Sequence, residues 1–336
     1  MTMLSVPVTE ASQVAEARRR AVALAQGLGF DETTAGRVAI VATELATNLV
    51  KYGTAGEILV GTFEDETGTG IELLALDRGT GLSNVDDALR DGHSTGGSAG
   101  TGLGAVRRQS QAFDIISWPG KGTAVVSRLQ KINASATAAP QAVATVGAVT
   151  VPLKGETANG DAYCVRRRGD GWTMIVADGL GHGPLAAKAS DEAVRLFRKH
   201  EDERPNSILA AVHAGLGHTR GGAVSVARYD PDKGIVSFAG IGNVVGAVVG
   251  IGGAKRTVAL PGTAGHVARR IQEFEYRLDP GGLFVMCSDG IGTAWSLDAY
   301  PGLIGAHPSL IASVLYRDFT RGRDDATVIV VRNLHS

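Results

Sequence analysis

Residues 176–183 read Val-Ala-Asp-Gly-Leu-Gly-His-Gly, and the fold of the chain's second half turns on that stretch. Residues 174–177 are an apolar run of the kind that fills a buried strand. Asp178 and Gly179 then stop it with a carboxylate and a residue free to turn closely. Outward in both directions the same device recurs. Gly160-Asp161 opens another strand-like run, Ser288-Asp289-Gly290 closes the apolar stretch 283–288, and Arg323-Asp324-Asp325 leads into 326–332. Any one of these is an ordinary turn; the ordered series is what carries information. Carboxylates gathered at neighbouring strand ends repel unless cations lie between them. Hard oxygen donors suit Mg²⁺ or Mn²⁺ rather than zinc, and no histidine–cysteine set competes. Asp161, Asp178, Asp289 and Asp324 are therefore the candidate metal ligands, with the Gly179 carbonyl able to complete a shell and Asp325 a support. His182 can donate to a phosphate or cap the helix that follows; the sequence leaves both open.

Around these residues, strands are expected at 162–167, 172–177, 222–229, 235–239, 244–249, 274–277, 283–288 and 326–332. Helices fit 185–200, 205–216 and 308–316. Two sheets covered by helices account for that order. The uncharged stretch 235–254 is long enough to raise a membrane span, but its glycines and Asn243 cut it into short strands joined by tight turns.

A chain of 336 residues with 44% hydrophobic content can bury two cores. Its net charge of −1 argues against a dedicated nucleic-acid surface. Cys164 and Cys287 sit in apolar runs and form neither a disulfide framework nor a zinc set, and no secretory signal opens the chain, so a cytoplasmic protein is expected. Residues 133–145 (NASATAAPQAVAT) read as a linker, which divides the chain into domains at 1–132 and 146–336. The sequence leaves the oligomeric state open, a dimer included.

The first domain is α+β: helices at 11–27, 33–50, 86–89 and 103–111, and strands at 58–63, 71–76, 113–118 and 123–129, with helices on one face of a mixed sheet. Glu44 and Asn48 lie four apart and share a helix face, with Val41, Leu45 and Leu49 on the adjoining apolar side. Asn48 can ligate Mg²⁺ and Glu44 can deprotonate an incoming hydroxyl. Asp77 ends a strand and can accept from the exocyclic amine of adenine, while Gly79 and Gly81 let the backbone turn beneath the base. Gly100, Gly102 and Gly104 belong to a glycine-rich run entering a helix, where backbone amides cradle phosphates. Thr123 can reinforce the adenine contact. The run is neither a Walker loop nor a dinucleotide fingerprint.

In this order the segments ATELATNLVKYG (42–53), LDRGTG (76–81) and GTGLGAVRR (100–108) resemble the N box and two glycine boxes of the GHKL-type ATPase fold. The resemblance is to the anti-sigma-factor serine kinases of the RsbT type. It implies an α/β sandwich that binds ATP with Mg²⁺, with Glu44 as base, Asn48 as metal ligand and Asp77 as adenine contact. Kinases of that family phosphorylate a small STAS-domain antagonist protein. The second half, with GD at 160–161, VADGLGHG, MCSDGI at 286–291, RDDATVIVV at 323–331 and FAGIGNV at 238–244, resembles PP2C-like phosphatases of the SpoIIE/RsbX branch. This implies an α-β-β-α sandwich with a two-metal centre that hydrolyses phosphoserine or phosphothreonine without a covalent intermediate. Asp178 would bridge the metals, Asp289 and Asp324 would serve one, and Asp161 would hold a metal or its water. The whole reads as a bifunctional switch acting on STAS-type or stressosome-type partners, a sigma factor among the candidates, without nucleic acid or membrane. Two alternatives stand beside it: a phosphatase whose ATP-binding half only regulates, and a non-catalytic anti-sigma or scaffold protein.

Overall fold

The computed structural model describes residues 2–65, 68–89, 102–130, 145–250 and 252–333. The glycine run up to Thr101, including Gly100, and the expected linker short of Thr145 lie outside the described residues. The chain forms two compact units, residues 3–130 with Tyr300–Arg317, and Thr145–Ala299 with residues 318–333.

The first unit contains β1 (Leu4–Pro7), α1 (Ala11–Gly27), α2 (Glu32–Tyr52), β2 (Glu57–Asp65), β3 (Gly68–Leu76), α3 (Val85–Leu89), α4 (Gly102–Gln109), β4 (Ala112–Trp118) and β5 (Gly122–Gln130). The strands make one sheet in the order β1-β2-β3-β5-β4. Every pairing in it is antiparallel, which corrects the mixed sheet expected from the sequence. The reason is connectivity: β2–β3 is a hairpin and β4–β5 another, and antiparallel strands need only short links. β1 was not expected, because four residues containing a proline carry little strand signal.

Helix α2 starts at Asp31, whose side chain accepts from the Thr34 amide at 2.6 Å, and places Glu32 in its first turn and Lys51 in its last, each favourable to the helix dipole. Its buried stripe, Val38, Val41, Ala42, Leu45, Ala46 and Leu49, packs with Ala17, Ala21 and Ala25 of α1 on Ile58, Val60, Ile71 and Leu73. Burying that stripe fixes the face on which Glu44 and Asn48 emerge, both half-buried.

The second unit contains β6 (Val146–Val151), β7 (Asp161–Arg168), β8 (Gly171–Gly179), α5 (Pro184–His200), α6 (Pro205–Gly215), β9 (Gly222–Asp230), β10 (Ile235–Ile241), β11 (Val245–Gly250), β12 (Gly253–Arg256), β13 (Gly262–Thr263), β14 (Val267–Ala268), β15 (Glu273–Arg277), β16 (Leu283–Cys287) and β17 (Ala326–Arg332). Two five-stranded sheets run β15-β10-β9-β8-β7 and β12-β11-β16-β17-β6. Alternation decides what each strand residue faces. Trp172, Met174 and Val176 of β8 meet Phe284, Met286, Ile329 and Val331 between the sheets. Ile175 and Ala177 face the other way, onto Ala193, Phe197, Ile208 and Val212 of α5 and α6.

Helix α7 (Pro308–Phe319) joins β16 to β17 of the second unit, yet Pro308 through Arg317 belong to the first. All of these residues are buried. Within the first unit the Ser309 hydroxyl donates to Glu72 at 2.7 Å and accepts from Arg128 at 3.1 Å, and the Tyr316 hydroxyl donates to Glu57 at 3.2 Å. Arg128 and Glu72 form a buried ion pair at 2.7 Å, and the guanidinium lies over Phe63.

Candidate active sites

In the second unit the β7–β8 register sets Asp161 directly opposite Asp178, and Asp178 in turn opposite Ala223 of β9. Asp289 follows the end of β16, and Asp324 and Asp325 immediately precede β17. The two sheets are tied at this end by Ser288, whose hydroxyl donates to Asp161 Oδ2 at 2.6 Å and accepts from the Thr327 amide at 3.0 Å. Asp325 accepts from the amides of Leu153 (2.7 Å) and Gly160 (2.9 Å), so both its oxygens hold the loop that leads into Asp161. The Asn243 side-chain amide donates to Asp289 Oδ2 at 2.6 Å.

Electrostatics follow from this crowding. Burial pushes the Asp178 carboxyl up to about 9, with like-charge repulsion from Asp161, Asp289 and Asp324 adding to it and a backbone hydrogen bond from Asp289 opposing it. Burial likewise raises Asp161 to about 7; Ser288 and Thr327 work against the rise, and Asp325 and Asp324 with it. Asp289 is raised by burial and by Asp324, against Arg321, Asn243 and Arg323. Asp161 Oδ1 is buried and has no hydrogen-bond partner. An all-oxygen donor set, mutual repulsion and an orphaned carboxylate oxygen fit hard divalent cations. Among the described residues no three His, Cys, Asp or Glu side chains form a finished ligand set. The fit therefore rests on the shared field and the unpartnered oxygen.

Gly179 is buried against α5: a Cβ there would run into the Ala186 carbonyl. The loop from β8 to α5 turns at Gly181 and Gly183, with φ of +84° and +75°, a region that disfavours other residues. Gly183 is the residue preceding α5, so His182 does not cap it. The His182 Nδ1 instead pairs with Glu156 Oε1 at 2.6 Å. A cavity of about 740 Å³ lies elsewhere, at the far end of β7 and β8 around Arg168 and Gly171.

In the first unit three expected pieces meet at Asp77. It is buried, its Oδ1 accepts from the Gly79 amide at 2.6 Å, and its own amide donates to the Thr123 carbonyl at 3.0 Å. A Cβ on Gly53, just past α2, would stand 3.2 Å from the Asp77 Cβ. Gly81, with φ +70°, passes so close to the Trp118 carbonyl that a side chain would collide with it. The Thr123 hydroxyl lies 2.9 Å from that of Ser117. Beneath them Arg317 donates to the Asp77 carbonyl at 2.9 Å. Burial raises the Asp77 carboxyl, opposed by the Gly79 amide, Arg317 and Thr123. Gly102 and Gly104 open α4, which Arg37 of α2 holds through Gln109 at 3.2 Å. A glycine-lined turn around a buried carboxylate fits the base end of a nucleotide. Gly100, expected along the phosphates, lies outside the described residues.

Arg317 was not singled out from the sequence, Ser288 was read only as part of the Ser288-Asp289-Gly290 turn with no role of its own, and the hold of Asn243 on Asp289 was not expected. Asn243 carried a signal as an amide inside an uncharged run.

Comparison with known proteins agrees with both halves. The family pattern "Histidine kinase-like ATPase domain" matches residues 6–129, and that of "Stage II sporulation protein E (SpoIIE)" matches residues 168–333. The serine/threonine-protein kinase RsbT of Bacillus subtilis (strain 168) is 31% identical over 112 residues, 33% of this chain and 84% of that protein. The chain is a fusion of an RsbT-like ATPase domain with a SpoIIE/RsbX-type, PP2C-like phosphatase domain. A solved structure described as "The bacterial stressosome: a modular system that has been adapted to control secondary messenger signaling" is 29% identical with a TM-score of 0.52, and covers 56% of this chain and 98% of its own. RsbX in complex with magnesium is 19% identical with a TM-score of 0.48, over 55% and 92%. The fusion thus pairs an α/β ATPase-like domain with a PP2C-like α-β-β-α sandwich, and PP2C likeness implies a phosphatase that depends on divalent metal. No helix among the described residues is long and apolar enough to cross a membrane.

Proposed function

We propose that the fusion is a two-way switch on protein serine and threonine phosphorylation, its SpoIIE-type domain removing the phosphoryl group and its RsbT-like domain adding it. We take the join to be the stretch 133–145, as the sequence composition suggests. The observation that carries the reading is the common field of Asp161, Asp178, Asp289 and Asp324 at one end of two sheets. Mg²⁺ or Mn²⁺ held by those side chains and the Gly179 carbonyl would supply Lewis acidity for phosphomonoester hydrolysis. Ser288 engages one oxygen of Asp161 and leaves the other for a ligand. Asn243 orients Asp289, and Asp325, with a backbone amide on each oxygen, fixes the approach to Asp161.

In the RsbT-like domain Asp77 would accept from the adenine amine, with Gly79, Gly81 and Thr123 around it. Gly100, Gly102 and Gly104 would lie along the phosphates, and Asn48 would hold Mg²⁺. Glu44 would take the proton of the incoming hydroxyl; phosphoryl transfer asks mainly for alignment and charge neutralisation. Likeness to RsbT and to a stressosome-related structure supports a STAS-type or anti-sigma-type partner. Kinase and phosphatase acting on one target together would only consume ATP, so a ligand or partner must bias them.

A second reading makes the ATPase-like domain a regulator without transfer activity. Arg317 favours it: it donates to the Asp77 carbonyl, and the same chain runs on to Asp324. Incubating the full chain with ATP and Mg²⁺ or Mn²⁺ and candidate STAS proteins, phosphorylated and not, separates the readings. Transfer that is lost in Glu44→Ala with ATP binding retained supports the switch; phosphate release without any transfer supports the regulator.

A further inference from the structure

A cavity of about 200 Å³ opens beside Asp289. Pockets that take whole ligands run to roughly 300–1,000 Å³, so this one has the size of a subsite for a single side chain. Its charged walls are Arg256, Arg321 and Asp289, two guanidiniums against one carboxylate, with Trp295, Ile291, Val245 and Cys287 supplying apolar surface. Arg256, on β12, donates to the Thr293 carbonyl and lies over the Trp295 ring at 5.0 Å from its centroid. That contact holds the guanidinium plane and leaves most of its five donors unused. Arg321 is anchored through its backbone: its amide donates to the Gly290 carbonyl at 2.8 Å, beside a bridge between Ile291 and Thr320 and a 2.7 Å bond from the Gly292 amide to Phe319. Its guanidinium makes no hydrogen bond among the described residues, and it acts on Asp289 through charge alone. Cys287 is wall rather than nucleophile, because burial pushes its thiol up to about 12.

We propose that this cavity is a specificity subsite for an acidic side chain flanking the phosphorylated residue of a protein substrate, its carboxylate received by Arg256 and Arg321. The inference rests on the phosphatase reading of the adjoining centre and names what that centre prefers. Where cations do not neutralise them the four carboxylates repel an acidic segment, and the two guanidiniums at the rim attract one at a single place in either state. Arginine forks suit carboxylates through paired, charge-assisted hydrogen bonds. The apolar wall accommodates the methylene stem of a glutamate.

The test uses the full chain with Mn²⁺ and two phosphoserine peptides, one flanked by glutamates and one by alanines. The wild-type chain favours the glutamate peptide by about tenfold in kcat/KM, chiefly through KM. In Arg256→Ala/Arg321→Ala that preference falls towards one, and Arg321→Glu shifts it towards a lysine-flanked peptide. A second arm is read without turnover. In chelator, an unphosphorylated glutamate peptide changes the tryptophan emission of the wild-type chain. The change disappears in Trp295→Phe and in the double arginine variant. Equal kcat/KM for the two peptides in the wild-type chain, an unaltered preference in the double variant, or no emission change on binding overturns the subsite. If neither phosphopeptide is hydrolysed, the phosphatase reading fails, and the emission arm still decides whether the arginines take a carboxylate.

Discussion

Replacing Asp178 with asparagine removes the charge at the centre of the acidic group and should stabilise the protein when cations are withheld. The Asp178 carboxyl moves from the ordinary 3.8 to about 9 on folding. An acid raised in this way binds its proton more tightly folded than unfolded. Its contribution to stability is therefore complete below pH 3.8 and is lost as pH rises towards 9. At about 1.4 kcal/mol per unit, the interval from 3.8 to 7.5 would amount to roughly 5 kcal/mol. Asp178 keeps some exposure, and relaxation around a strained charge lowers the cost, so about 2 kcal/mol is the working expectation. An asparagine stays neutral and avoids that loss, while its side-chain oxygen still accepts the Asp289 amide. For a domain of this size the gain corresponds to a Tm rise of roughly 4–8 °C. The assay is a thermal melt in EDTA at pH 7.5 and pH 4.5, read by tryptophan fluorescence. The variant should melt higher at pH 7.5, with a gain under about 1 kcal/mol at pH 4.5. A variant no more stable than wild type at pH 7.5, or equally stabilised at both pH values, refutes the argument that burial, reinforced by like charges, governs the Asp178 carboxyl.

Asn243→Ala leaves Asp289 without its 2.6 Å partner. About a tenfold higher Mn²⁺ concentration should then be needed for half-maximal phosphate release, as for other outer-shell partners of metal ligands. Asp77→Ala should weaken ATP binding by about 10–100-fold in calorimetry, the loss of a hydrogen bond to a charged group, without changing phosphopeptide hydrolysis. Arg128→Met strands the buried Glu72 carboxylate and should cost about 3–5 kcal/mol in denaturant unfolding; the pair Glu72→Leu/Arg128→Met should recover much of it.

What the sequence revealed was largely local. The stop at Asp178 is visible because an apolar run ends there, and helix α2 is visible because Val38, Val41, Leu45 and Leu49 recur with helical spacing. What it hid depends on partners distant in the chain. Ser288 becomes informative only when sheet packing brings it to Asp161, 127 residues earlier. The segment of α7 carries the apolar residues Leu310, Ile311, Ala312, Val314 and Leu315, which announce burial without saying against what; its first ten residues, 308–317, belong to the unit formed by the other end of the chain. β6 and β12 were missed because glycine and alanine dilute their strand pattern. The pairing of His182 with Glu156 could not be read either, since it depends on the path of the loop before β7.

The most direct test of the account follows phosphate release from a phosphoserine protein or peptide as Mn²⁺ is titrated into the full chain. Wild type should release phosphate in a cation-dependent way that EDTA abolishes, and Asp178→Asn should release essentially none at any Mn²⁺ concentration. Release that ignores EDTA, or an Asp178→Asn variant as active as wild type, would contradict the account.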